Sequence, residues 1–117
     1  MKIFLISTVR LGEDVRASKY VEYMEKLGHE IHYPIRDTNQ IDPTGGWDIC
    51  KQNMRAIQYC DEVHIFYNPA SQGTHFDLGM AFVLGKKIKL INDREYEELK
   101  NQDKSFLKMI EYWEKHG

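Results

Sequence analysis

The run Asp61-Glu62-Val63-His64-Ile65-Phe66-Tyr67-Asn68-Pro69-Ala70-Ser71-Gln72-Gly73-Thr74-His75-Phe76-Asp77-Leu78-Gly79-Met80-Ala81 decides how the rest of the chain is read. It reads as a buried strand, a loop of Asn, Pro, Ser and Gly, and a helix that begins at Thr74. That beginning puts the carboxylate of Asp77 in the first turn. A strand-to-helix turn of this kind sets polar groups at the carboxyl edge of a parallel sheet, where open α/β sheets bind their ligands.

Outward from that run, strands and helices alternate. Ile3 to Ile6 has the length of a strand and ends in the polar turn Ser7-Thr8-Val9-Arg10-Leu11-Gly12. Ala17, Tyr20, Val21, Met24 and Leu27 follow helical spacing, and Gly28 stops that helix. Ile31 and Tyr33 alternate with polar neighbours in a short strand closed by Pro34. Residues 36–46 carry loop chemistry, Asp37-Thr38-Asn39 and Asp42-Pro43-Thr44-Gly45-Gly46. Trp47, Cys50, Met54 and Ile57 then mark one face of a second helix. Val63 to Tyr67 is the third strand, residues 74–84 the third helix, Ile88 to Ile91 the fourth strand. The tail is a helix presenting Phe106, Met109, Ile110 and Trp113.

This alternation predicts an α/β fold: one Rossmann-like domain spanning 1–117, with flavodoxin-like strand order. The sheet is expected to be parallel, of four to five strands in the order 2-1-3-4, with helices on both faces. The switch point then falls between strands 1 and 3, so the loops Ser7–Gly12 and Asn68–Thr74 share one crevice. The third helix is apolar on more than one side (Phe76, Leu78, Met80, Phe82, Val83). It is therefore either deeply buried or packed on a partner subunit, and a homo-oligomer, dimer or higher, is expected.

Composition bounds the partners. With 117 residues and a formal charge of −2, the chain has no basic footprint for nucleic acid or an anionic membrane. No apolar run approaches the roughly 20 residues of a membrane helix. The opening Met1-Lys2-Ile3-Phe4-Leu5-Ile6-Ser7 reads as a strand rather than a signal peptide, which points to the cytoplasm. Cys50 and Cys60 are ten residues apart on one predicted helix. At about 1.5 Å per residue they lie beyond the roughly 7 Å reach of a disulfide, so two reduced thiols are expected. No His, Cys and carboxylate cluster has ligand spacing, so no metal and no cofactor is expected.

The first loop offers small hydroxyls, an arginine and a glycine at a helix entry. Ser7, Thr8, Val9, Arg10 and Gly12 there suit a phosphate or a carboxylate, although Ser and Thr also cap helices. The loop is neither Gly-x-Gly-x-x-Gly nor a P-loop, which removes dinucleotide and NTPase readings. Ser7-Thr8 and Tyr67-Asn68 also lack the acids that a phosphoacceptor receiver needs. Thr74-x-x-Asp77 fits a capping box. The functional alternative makes Asp77 a nucleophile or electrostatic stabiliser at a sugar carbon. His75 reads as a solvated neighbour or a general acid. Asn53, beside the core position Met54, lies off the buried centre line, where it either orients a ligand hydroxyl or is simply a surface polar residue.

The segment Asp61-Glu62-Val63, then Gly73-Thr74-His75-Phe76-Asp77-Leu78-Gly79-Met80-Ala81, then Leu84-Gly85-Lys86-Lys87-Ile88 resembles the nucleoside 2-deoxyribosyltransferase family. That family carries A-D-x-V, G-x-x-x-E-L-G-x-A and G-K in this order. Ser7-Thr8-Val9-Arg10-Leu11-Gly12 is similar to the phosphate loop G-S-I-R-x-G of its 2′-deoxynucleoside 5′-phosphate N-hydrolase branch. The resemblance implies a Rossmann-like oligomer that cleaves the bond between base and deoxyribose through a glycosyl-enzyme intermediate. The small-molecule partner it implies is a nucleoside or nucleotide. It places the nucleophilic glutamate on Asp77, one methylene shorter, an aspartate near Asn53, and a strand-1 tyrosine on Phe4. Ser7, Arg10, Gly12 and Ser71 fall where the hydrolase branch holds a 5′-phosphate, with Gly73 in the same loop-to-helix motif. The residues implied for catalysis are thus Asp77 and Asn53. Those implied for substrate binding are Ser7, Thr8, Val9, Arg10, Gly12, Ser71 and Gly73. The altered groups keep two further readings open: a binding module for nucleotides or sugar phosphates that has lost catalysis, and a flavodoxin-like carrier of another phosphorylated cofactor.

Overall fold

Ile3, Phe4, Leu5 and Ile6 are all buried, as a strand covered on both faces requires. In the computed structural model, which describes residues 1–9 and 14–117, they belong to the central strand β1 (Lys2–Ile6). β1 lies between β2 (Glu30–His32) and β3 (Glu62–Ile65), and β3 pairs with β4 (Lys87–Leu90). Every pairing is parallel, and the order is the expected 2-1-3-4.

Parallel neighbours need long crossovers, and those crossovers cover the sheet. α1 (Val15–Lys26) covers one face with Ala17, Val21 and Met24 against Ile3, Leu5, Ile31 and Phe66. A short helix α2 (Pro34–Asp37) follows β2 inside the segment read as loop, with Pro34 at its first position. α3 (Trp47–Tyr59), α4 (Gln72–Val83) and α5 (Phe106–His116) cover the other face. There Ile57, Leu78, Ala81, Leu107 and Ile110 pack on Phe4, Ile6, Val63, Ile65, Ile88 and Leu90.

Three helix readings shift. α4 starts two residues before Thr74, because Ser71 caps it by accepting from the Thr74 backbone N–H at 3.2 Å. In α3 the buried face carries Asn53 and Ile57, while Trp47 is exposed. In α5 the inward residues are Leu107 and Ile110, with Phe106 turned to the surface. The amino end of α3 has no side-chain cap at Gly46, whose φ of 109° only glycine takes easily. Asp42 and Thr44 substitute from the preceding loop, accepting from the Ile49 and Asp48 amides at 3.0 Å each.

Both sheet edges are blunted by side chains. Arg36 donates to the Ile31 carbonyl beside β2, and Glu114 of α5 accepts from the Leu90 amide on β4. Just past β3, Asn92 grips the Tyr67 backbone, accepting from its N–H and donating to its carbonyl at 2.8 Å each. This clamp fixes the point from which the chain turns into α4. Replacing Asn92 by Ala leaves two backbone groups of a buried residue unpaired. The expected loss is about 2 kcal/mol in urea denaturation, with Asn92→Asp intermediate because it keeps only the acceptor.

Candidate active site

The buried face of α4 carries Thr74, Asp77, Leu78 and Ala81. With Ser71 as the cap, Asp77 sits in the second turn of α4, and the first turn holds no acid. The capping-box reading of Thr74-x-x-Asp77 therefore fails: the chain before Thr74 continues the helix rather than entering it. Asp77 lies against α3 instead, only 9% exposed, where the Asn53 side chain acts on its carboxyl and favours the ionised form. Burial pushes the Asp77 pKa from the ordinary 3.8 up to about 7, and the Asn53 hydrogen bond pulls the other way.

Asn53 is itself 6% exposed, not the surface residue that one sequence reading allowed. Its Oδ1 accepts from the Thr38 hydroxyl at 2.7 Å, and that hydroxyl meets His32 Nε2 at 2.8 Å. With Oδ1 engaged by a donor, the Asn53 amide nitrogen is the group that faces Asp77, since an ionised carboxylate only accepts. A polar residue can occupy the centre of this helix face because both ends of its amide are satisfied. The His32 ring stacks on Phe4, centroids 5.4 Å apart and planes 9° from parallel. Phe4 is fully buried and brings a ring rather than a hydroxyl to this seam. The Cys50 thiol, also on α3, feels the Asp77 charge; burial first, and then that charge, pushes its pKa up. Both cysteines are free thiols.

At the carboxyl edge, the two loops expected to converge are tied together by Asn68 Nδ2 donating to Thr8 Oγ1 at 3.2 Å. Ser7, at the tip of β1, is 8% exposed, and Thr8 and Val9 are half-buried. Arg10 and Gly12, the other expected members of this loop, lie outside the described residues. Ser71 is half-buried with its hydroxyl spent on the helix cap, and Gly73 is exposed in the first turn of α4. Two buried hydroxyls, Ser7 Oγ and Thr74 Oγ1, have no hydrogen-bond partner among the described residues. Buried hydroxyls without partners are rare in finished cores and mark places where a ligand's polar groups fit. His75 does not project toward this seam. Its Nδ1 donates to the Ser71 carbonyl at 2.7 Å, its Nε2 accepts from the Tyr67 hydroxyl at 2.9 Å, and Phe106 packs on its ring. With both nitrogens engaged, the general-acid reading of His75 loses its free proton.

Among the described residues no group of three His, Cys, Asp or Glu side chains is placed to hold a metal ion. None of the described helices is long and apolar enough to cross a membrane. Thr38 and His32 are the site members the sequence reading missed. The link from Thr38 to Asn53 spans 15 residues through a loop, and no spacing rule reaches that far.

The model of the family described as Nucleoside 2-deoxyribosyltransferase matches residues 11–109. The fold is shared with the solved structure of the Clostridium botulinum CMP N-glycosidase BcmB. That chain is 24% identical, with a TM-score of 0.58, and the match covers 97% of this chain and 99% of that one. It is also shared with a 2-deoxyribosyltransferase from the psychrotolerant bacterium Bacillus psychrosaccharolyticus. Here identity is 22%, the TM-score 0.57, and coverage 92% and 96%. No curated protein matches the chain by sequence.

The raised pKa of Asp77 has a consequence for stability. A carboxyl that holds its proton more tightly folded than unfolded stabilises fully below its unfolded value, near 3.8, and loses that contribution as pH rises through about 7. Asp77→Asn does not titrate. In thermal melts it is expected to exceed the wild type by up to about 4 kcal/mol near pH 8, a gap that closes toward pH 4.

Proposed function

The chain belongs to the nucleoside 2-deoxyribosyltransferase family, and we propose that it cleaves or transfers the N-glycosidic bond of a (deoxy)nucleoside or its 5′-monophosphate. The observation that carries this reading is the Asp77 carboxyl itself. It is buried on the inner face of α4 beside Asn53, with the Ser7 and Thr74 hydroxyls unpartnered among the described residues. In this reading an Asp77 oxygen attacks C1′ of the sugar. The C1′–N bond breaks with its electron pair leaving on the base, which takes up a proton from solvent. Water, or a second base, then displaces Asp77 from C1′. Ser7, Thr8, Val9, Arg10, Gly12, Ser71 and Gly73 are proposed to face the sugar and its 5′ substituent. The α4 amino terminus and the Ser7 hydroxyl favour an anion there. Asn53 orients the carboxylate and cannot serve as a base.

Attack needs the ionised carboxylate, so kcat/KM is expected to fall as pH drops through about 7. Chromatography of a panel of nucleosides and 5′-monophosphates tests the reading. Free base should appear with the wild type and vanish with Asp77→Ala. Absence of base from every substrate, with the wild type and with Asp77→Glu, overturns it.

A second reading, a nucleotide-binding module without turnover, is favoured by Asn53 standing where the family resemblance implies an acid. Thermal stabilisation by monophosphates without base release would select it, a gain of about 2.7 kcal/mol at 100 Kd.

We further infer a homo-oligomer. Phe76, Phe82 and Val83 of α4 are 55%, 60% and 83% exposed, apolar side chains that a second copy of the chain would cover. The free thiols Cys50 and Cys60 fit a reducing compartment, and the cytoplasm is our reading. Light scattering should give at least twice the 13.9 kDa chain mass; a stable monomer overturns the oligomer.

A further inference from the structure

Thr38 has no part in the proposed attack on the sugar. It is 3% exposed, and its side chain stands between Asn53 and His32, beside the Asp77 seam. Its backbone is pinned, with its N–H donating to the Pro34 carbonyl at 3.0 Å and its carbonyl accepting from Gln40 Nε2 at 3.2 Å. Its hydroxyl has one hydrogen to give, and gives it to Asn53 Oδ1. The hydroxyl oxygen is then left to accept, so His32 Nε2 carries a proton and donates it. The His32 ring is held in this orientation by its stack on fully buried Phe4. The result is a directed line of donors, His32 to Thr38 and Thr38 to Asn53, that leaves the Asn53 N–H₂ as the end of the amide available to the Asp77 carboxyl.

We propose that Thr38 and His32 are positioning residues for Asp77, holding the Asn53 amide with its N–H₂ rather than its oxygen toward the carboxyl. The two ends of an amide have opposite consequences. An N–H₂ facing Asp77 donates to the carboxylate and favours the ionised form. A flipped amide presents an acceptor, which repels the carboxylate and bonds the protonated acid instead. Nothing in Asn53 itself chooses between these orientations. The choice comes from the Thr38 hydrogen, which only Oδ1 can accept, and the Thr38 hydrogen is aimed by His32. Phe4 supplies no hydroxyl to Asp77, which leaves the Asn53 amide to oppose the upward push of burial on its carboxyl.

The charged surroundings leave this direction intact. Cys50 is the other titratable group coupled to Asp77; burial and the charges of Asp77 and Asp42 keep it a neutral thiol. Burial holds the His32 pKa down, and the charges of Asp37 and Arg36 beside it oppose one another. Protonating His32 adds a proton at Nδ1 and keeps the Nε2 donor, so the line keeps its polarity when His32 titrates.

The catalytic meaning of this arm rests on Asp77 being the nucleophile, but its effect on Asp77 does not, and the test separates the two. The carboxyl carbon of Asp77, assigned by its loss in Asp77→Asn, is followed by carbon-13 NMR across pH in the wild type, Thr38→Val and Thr38→Ser. Thr38→Val should raise the Asp77 midpoint by about one pH unit, and Thr38→Ser, which keeps the hydroxyl, should return it to the wild-type value. His32→Phe keeps the stack on Phe4 while freeing the Thr38 hydroxyl. It should move the midpoint the same way by a smaller amount, and serves if Thr38→Val does not fold. Equal midpoints in the wild type and either of these variants overturn the proposal, as does a Thr38→Ser shift equal to that of Thr38→Val. In base-release assays the acid limb of kcat/KM should move with the NMR midpoint. Failure of the wild type to release base would remove the enzymatic reading, while the NMR midpoints would still decide whether Thr38 and His32 orient Asn53.

Discussion

The pairing of β1 with β3, and not with β4 or a later strand, governs where everything else can lie. Four residues of β1 are in register with β3, from Ile3 opposite Glu62 to Ile6 opposite Ile65. Because β2 occupies the other side of β1, the chain leaving β2 must cross back over β1 to reach β3, and α3 is that crossing. α1 is thereby committed to one face and α3 and α4 to the other, side by side. Their seam lies over Phe4, and the tip of β1 meets the loop after β3 through Thr8 and Asn68. A slip of one residue would turn Phe4 toward α1 and dissolve the seam.

Within that seam, two opposing forces act on one carboxyl. Removal from water favours the neutral acid, and the Asn53 amide favours the anion. The net displacement is upward, so desolvation wins, by about 1.4 kcal/mol for each pH unit. A fold selected only for stability would place an apolar residue there, next to Leu78 and Ala81. Keeping an acid at that spot means that the folded state is least stable at the pH where the acid is ionised, the form that the proposed attack on the sugar needs. Under the proposed function, stability and reactivity are set against each other at this one side chain.

Much of this architecture is readable from residue patterns. Apolar runs such as Ile3–Ile6 and helix faces such as Ala17, Val21 and Met24 have periodicities that survive folding, and the parallel sheet follows from the alternation of elements. The site was legible where it depended on local motif. Asp77 and the loop hydroxyls stand in recognisable runs, and Thr8 does meet Asn68. What escaped was set by tertiary contact. Whether α4 begins at Thr74 or before it turns on a single serine hydroxyl, and moving that start takes Asp77 from the first turn to the second. Asn53 looks like a surface residue in any reading by polarity, because its burial depends on Thr38 and Asp77, both distant in the chain. The Thr38 hydroxyl is polar, sits in a loop-like run, and gives no hint that it ends up 3% exposed.

Arg36 and Glu114, by blunting the sheet's two outer strands, also restrict how copies of the chain can associate. A strand laid along β2 would have to displace Arg36 from the Ile31 carbonyl, where Glu25 and Asp37 also hold it. One laid along β4 would meet Glu114 already bonded to Leu90, with Lys87 and Lys89 alongside. Continuous sheets running from one molecule into the next are thus discouraged at both ends, and fibrous growth with them. Assembly is thereby directed toward the helix surfaces.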